Sequence, residues 1–218
     1  MNIAKYIDHT NIKEDAAEKD IKKSCKECIK YKFRGLCVRS SWTKTVKEEL
    51  EGEGVKVVTL IDPPIGLSSH KERIEMVEKA KKDGTDEVDI VMNLVDLKYE
   101  KYGKVLKDLK EICKIAPTKV IIGSGYLTDQ EIGTASKIVK KAGAICVKTA
   151  TEKDPLGNSE LEEKAKHIKI MKKSAPGLLV KAAGAIRTFN DAKKMIKSGA
   201  DIIGTSSGVE IVEQSKKK

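Results

Sequence analysis

The chain has 218 residues, enough for one domain with a substantial buried core, and its composition does not shift along its length. A formal net charge of +10 would suit a polyanion, but four arginines and 4% aromatic residues supply few groups for base contacts or stacking, which weighs against nucleic acid as a partner. No run of about 18 apolar residues exists, and the opening MNIAKYIDHTNIKEDAAEKD turns polar too early for a secretory signal, so a soluble cytoplasmic protein without a membrane partner is expected.

In chain order, residues 5–10 (KYIDHT) read as a first strand and 14–30 as an acidic, amphipathic helix. Cys25 and Cys28 have C-x-x-C spacing, but no second pair follows. Five cysteines in apolar or helical settings read as reduced thiols. Apolar runs at 35–38, 55–61, 87–92, 119–122, 144–147, 178–182 and 201–203 then alternate with helical patterns at 41–52, 68–83, 95–115, 128–142, 159–174 and 190–198. Thr128 with Glu131 forms a capping box, Asn190 before Asp191 reads as another cap, and Gly84, Gly143 and Gly199 each end a helix. Within 68–83, Glu75 and Lys79 stand four apart in the favourable order, and most lysines form a solvated face.

Strict β/α alternation implies a parallel sheet, either open and doubly wound or closed into an eight-stranded barrel. No G-x-G-x-x-G follows the first strand, and the N-terminal unit completes a set of eight. The expectation is a single domain over 1–218, a (β/α)8 TIM barrel with an additional N-terminal helical segment.

In such a barrel the strand ends share one mouth. Lys148 follows the apolar run ending at Val147, and Lys181 follows the run ending at Val180. Burial and a neighbouring cation can each leave one of two lysines as a free amine able to attack a carbonyl. In the strand at 87–92, Glu87, Asp89 and Val91 share one face, which places a carboxylate among apolar neighbours where it needs a cationic partner. Two lysines and an aspartate make a Schiff-base arrangement that needs no metal or other cofactor. The three histidines, His9, His70 and His167, form no close ligand pair, and His167 on a polar helix is expected to be exposed. Gly204 to Gly208, with Gly184, offer amides and hydroxyls for an anion at the last two strand ends.

These residues resemble the deoxyribose-phosphate aldolase family over nearly the whole chain, through YIDHTNIK, GLCVRSSW, EVDIVMN, VKTAT, VKAAGAIRT and GTSSGVEI. The resemblance implies reversible cleavage of 2-deoxy-D-ribose 5-phosphate to acetaldehyde and D-glyceraldehyde 3-phosphate. It makes Lys148 the imine lysine, Lys181 the cation that tunes it, and Asp89 the group that moves protons at C2. It also places Gly184, Ser206, Ser207, Lys153 and Thr149 among substrate-binding positions, and Cys37 as a barrel thiol that can meet aldehyde. Homodimers or homotetramers are common in the family.

This chain departs from the family pattern at Ala150 for serine, Glu152 for glycine, Gly123 for glutamate and Ala185 for glycine. Glu152 is expected to weaken or alter phosphate binding, because it brings a negative charge and removes glycine's freedom of φ. The alternatives are a related Schiff-base barrel aldolase with a different or non-phosphorylated substrate, for which Arg187 is the nearest carboxylate-binding candidate, and a basic nucleic-acid binder.

Overall fold

Eight parallel strands close into a barrel: β1 (Ile7–Asn11), β2 (Gly35–Arg39), β3 (Lys56–Ile61), β4 (Glu87–Val91), β5 (Thr118–Ile121), β6 (Cys146–Lys148), β7 (Leu179–Ala183) and β8 (Ile202–Thr205). Each pairs with the next, and β8 pairs with β1, in this computed structural model, which describes residues 1–152 and 161–217. The outer helices are α1 (Glu18–Tyr31), α2 (Thr43–Glu49), α3 (His70–Lys82), α4 (Leu94–Lys98), α5 (Tyr102–Ile115), α6 (Asp129–Lys141), α7 (Leu161–Ser174), α8 (Phe189–Lys197) and α9 (Gly208–Lys216). Ahead of β1, the helical segment is one 3-10 turn, Ile3–Tyr6, lying against α9.

The main core lies between barrel and helices, because alternate strand residues face outward and meet helical stripes. Val88 and Ile90 of β4, Val120 of β5 and Val147 of β6 belong to it, as do Ile21, Cys25 and Cys28 of α1 and Val105, Leu109 and Ile112 of α5. Burying each such aliphatic side chain is worth about 1.5–3 kcal/mol relative to leaving it exposed. Inside the barrel a separate apolar cluster joins Cys37, Val58, Leu60, Val91 and Ile121. Inward positions of β4 to β7 also carry the charged residues Glu87, Asp89, Lys119, Lys148 and Lys181.

The expected helix at 95–115 is two helices, because Glu100 takes a left-handed φ of 57° that an α-helix cannot contain. Gly84, Gly143 and Gly199 end helices with φ of 94°, 86° and 110°. Glu75 pairs with Lys71, and Lys79 pairs with Asp83, in place of the expected Glu75–Lys79 pair. The cap of α8 is Thr188, not Asn190. The Thr188 hydroxyl accepts from the Asp191 amide at 3.2 Å, and the Asp191 carboxylate accepts from the Thr188 amide at 2.8 Å. His167 is also corrected, since its place on α7, beside Glu163 and Asp129 of α6, leaves it 3% exposed. Thr188→Ala should lower stability by about 1 kcal/mol, read as a fall of roughly 2–4 °C in the midpoint of thermal unfolding.

Candidate active site

Strand register brings the charged inward positions side by side. Asp89 of β4 is opposite Lys119 of β5, and Lys148 of β6 is opposite Lys181 of β7. The Asp89 carboxylate collects all three lysines. Lys119 Nζ donates to Oδ1 at 2.7 Å, and Lys148 Nζ and Lys181 Nζ each donate to Oδ2 at 2.8 Å. Lys181 also donates to Asp8 Oδ2 at 2.6 Å, and Lys119 reaches Glu87 Oε2 at 2.8 Å. Arg34 closes the network from below, donating to Asp8 Oδ1 at 2.7 Å and to both Glu87 oxygens at 2.8 and 2.9 Å.

Asp8, Asp89, Lys119 and Lys181 are fully buried, and only Lys148 reaches the cleft, at 4% exposure. Burial alone would push the Asp89 carboxyl up, but Lys119, Lys148 and Lys181 hold it well below its ordinary range. Asp8 behaves likewise, with burial opposed by Lys181, Lys119 and Arg34. Burial works to lower the pKa of Lys181, and Asp8 and Asp89 outweigh it, so Lys181 stays an ammonium. Lys119 is raised the same way, chiefly by Asp89 against burial. Burial, then Asp89, pushes the Cys37 thiol up.

Above Lys148 opens a cleft of about 800 Å³, lined among others by His9, Asn11, Glu152, Gly184, Arg187 and Ser206. Gly184 and Ser206 therefore share it with Lys148. Ser207 lies beside it, its amide donating to Thr205 Oγ1 at 2.9 Å. Thr149 is buried away from it, because its hydroxyl donates to the Ala183 carbonyl at 3.0 Å and accepts from the Ala183 amide at 2.9 Å. That hydroxyl ties the end of β6 to the end of β7. Cys37 is also off the cleft, with Sγ 3.9 Å from Asp89 Oδ2. Lys153 lies outside the described residues.

Three of the four departures have a local setting. Glu152 is held by Arg39. Gly123 has φ 57°, and a Cβ there would meet Leu94 Cδ1 at 2.7 Å, so a glutamate would not fit without a shift. Ala185 takes a φ of 60°, the left-handed region that costs an L-residue about 1–2 kcal/mol. Gly204 has a positive reason too: a Cβ would stand 2.9 Å from Lys181 Cε.

Lys119, Asp8, Glu87 and Arg34 were not among the expected site residues. Two signals for them stand in the sequence: Glu87 shares the strand phase of Asp89, and Lys119 alternates with Ile121. Among the described residues one group has metal-ligand types in reach, Asp129, Glu163 and His167, and the Lys166 ammonium sits on its two carboxylates at 2.8 and 3.1 Å. No helix among the described residues is long and apolar enough to cross a membrane.

The model of the DeoC/LacD family aldolases matches residues 2–214. The deoxyribose-phosphate aldolase of Caldicellulosiruptor saccharolyticus is 42% identical over 219 aligned positions, covering 97% of each chain. Among solved structures, the aldolase QR15 superposes with a TM-score of 0.91 at 36% identity, covering 99% of this chain and 96% of that one. The tetrameric deoxyribose phosphate aldolase of Aeropyrum pernix gives 0.89 at 28% identity, covering 98% and 91%.

Two outcomes test the charged network. Lys119→Met should cost about 3–5 kcal/mol in denaturant unfolding, because Asp89 and Glu87 each lose a buried cation. Asp8, Glu87 and Asp89 have folded pKa values below those of the unfolded chain, so the unfolded chain binds more protons as pH falls. Their stabilisation is complete above about pH 5 and is lost progressively below it. Thermal midpoints measured between pH 7 and pH 3 should fall accordingly, and a flat profile would contradict the network.

Proposed function

The chain belongs to the DeoC/LacD family of aldolases, and we propose that its reaction, reversible cleavage of 2-deoxy-D-ribose 5-phosphate to acetaldehyde and D-glyceraldehyde 3-phosphate, runs through an imine on Lys148. The observation that carries this assignment is Lys148 Nζ at the floor of the cleft, 2.8 Å from a carboxylate that also holds Lys181. Attack on the C1 aldehyde needs a free amine. Five cations, Arg34, Lys56, Lys119, Lys148 and Lys181, face the three buried carboxylates of the cluster. Lys148 has the fewest carboxylate contacts of the three lysines, one against two for Lys181 and three for Lys119.

Attack gives a carbinolamine, and loss of water gives the protonated imine. The C2–C3 bond then breaks, its electrons forming an enamine on C2 while the C3 hydroxyl gives up its proton and D-glyceraldehyde 3-phosphate leaves. Protonation at C2 and hydrolysis release acetaldehyde and restore the amine. Asp89, held by Lys119 and Lys181, is the group that relays protons through water at these steps. Gly184, Ser206 and Ser207 support phosphate recognition at the β7 and β8 ends, together with the amides that open α9. The pairing of Glu152 with Arg39 offsets the carboxylate's repulsion of that phosphate.

Five free cysteines support a reducing, cytoplasmic compartment. The tetramer named for the Aeropyrum pernix relative supports a homodimer or homotetramer.

Reduction with borohydride in the presence of 2-deoxyribose 5-phosphate should fix an adduct that peptide mapping places on Lys148. Lys148→Met should abolish both adduct and turnover. An adduct that survives in that variant, or that maps to Lys181, would overturn the assignment.

A further inference from the structure

One ion pair crosses the mouth of the barrel. Arg39 ends β2 and Glu152 follows β6, and in the closed ring those two strands stand on opposite sides. The Arg39 guanidinium holds the Glu152 carboxylate and reaches Glu14 Oε1 at 3.3 Å, while its Nε donates to the Ile12 carbonyl at 2.8 Å. With 23% and 21% of their side chains exposed, the two charged groups are screened less than an open surface pair.

The pair has an apolar neighbour. By its backbone contact Arg39 fixes Ile12, whose side chain packs on the inner cluster of Cys37, Val58, Leu60, Val91 and Ile121. Ile121 is the register partner of Lys148, so this apolar surface begins one strand away from the imine nitrogen. Among the described residues the open cleft is lined from β1, β6, β7 and β8, their loops and the helices α1 and α9, with none from β2 to β5. Ile12 and Glu152 line its near side. Together they stand between the open cleft and the covered apolar cluster inside the barrel.

We propose that Arg39, Glu152 and Ile12 form a specificity wall, which limits the length of the alkyl group on the aldehyde joined to Lys148. The inference rests on the Lys148 imine proposed above. In the imine of acetaldehyde the carbon on nitrogen carries a single methyl. A longer donor must place its extra carbon against the inner cluster, where Ile12 already sits. Loosening Arg39 from Glu152, or shortening Ile12, opens that space.

The test uses donor aldehydes, acetaldehyde and propanal, each with D-glyceraldehyde 3-phosphate as acceptor. The ratio of kcat/KM for propanal over acetaldehyde is compared between the parent chain, Glu152→Gly and Ile12→Ala. Both variants should raise the ratio by about tenfold, the low end of what one methylene is worth in a hydrophobic pocket. The two substitutions act on different parts of the wall, so a folding defect in one leaves the other informative. Equal losses with both donors, or an unchanged ratio, would overturn the wall if borohydride still traps an adduct on Lys148. Failure of trapping in the parent chain would instead overturn the imine.

Discussion

The site depends on the carboxylate of Asp89, which holds three ammonium groups in the middle of the barrel. Bringing one lysine into such an interior is costly, and bringing three together without an anion would be prohibitive. Asp89 makes the cluster possible, while Asp8 and Glu87 take the outer contacts of Lys181 and Lys119. Parallel register does the positioning, since β4, β5, β6 and β7 are successive neighbours and place one inward residue each around one carboxylate. A single residue of slip in any of these strands would turn its charged side chain outward into the helix layer.

The arrangement separates the two lysines by their contacts rather than by their depth alone. Lys181 sits between two carboxylates and keeps its proton despite complete burial. Lys148, at the same height, shares its one carboxylate oxygen and faces the cleft. Of the three lysines on Asp89, only Lys148 is placed where a carbonyl in the cleft could be reached. Gly204 belongs to the same design, because a side chain on β8 at that point would collide with the stem of Lys181.

Much of this was legible in the sequence for a physical reason: barrel strands alternate strictly, so a lysine after Val147 or Val180 and an aspartate in EVDIV stand out against apolar neighbours. Lys119 escaped notice because it opens an apolar run, where a lysine also fits as a solvated strand start. Asp8 was hidden in a strand too short to set a phase. The break at Glu100 carries neither glycine nor proline, so periodicity ran through it. His167 was misplaced because the charged residues around it on α7 mask a narrow inward stripe. The partner of Glu152 was not legible, because Arg39 is 113 residues away and meets it only through closure of the ring.

A charged interior also decides where stability must come from. A buried ion network roughly breaks even against the solvation it gives up, so the charged part of the barrel interior contributes little net free energy to folding. The large apolar layer between strands and helices is left as the main source, supplied by outward strand residues and the helical stripes that meet them. The two faces of each strand therefore answer to different demands. Side chains facing out can be exchanged among aliphatic residues of similar volume at modest cost. The charged ones facing in on β4 to β7 are bound to one another, so changing one leaves its partners uncompensated.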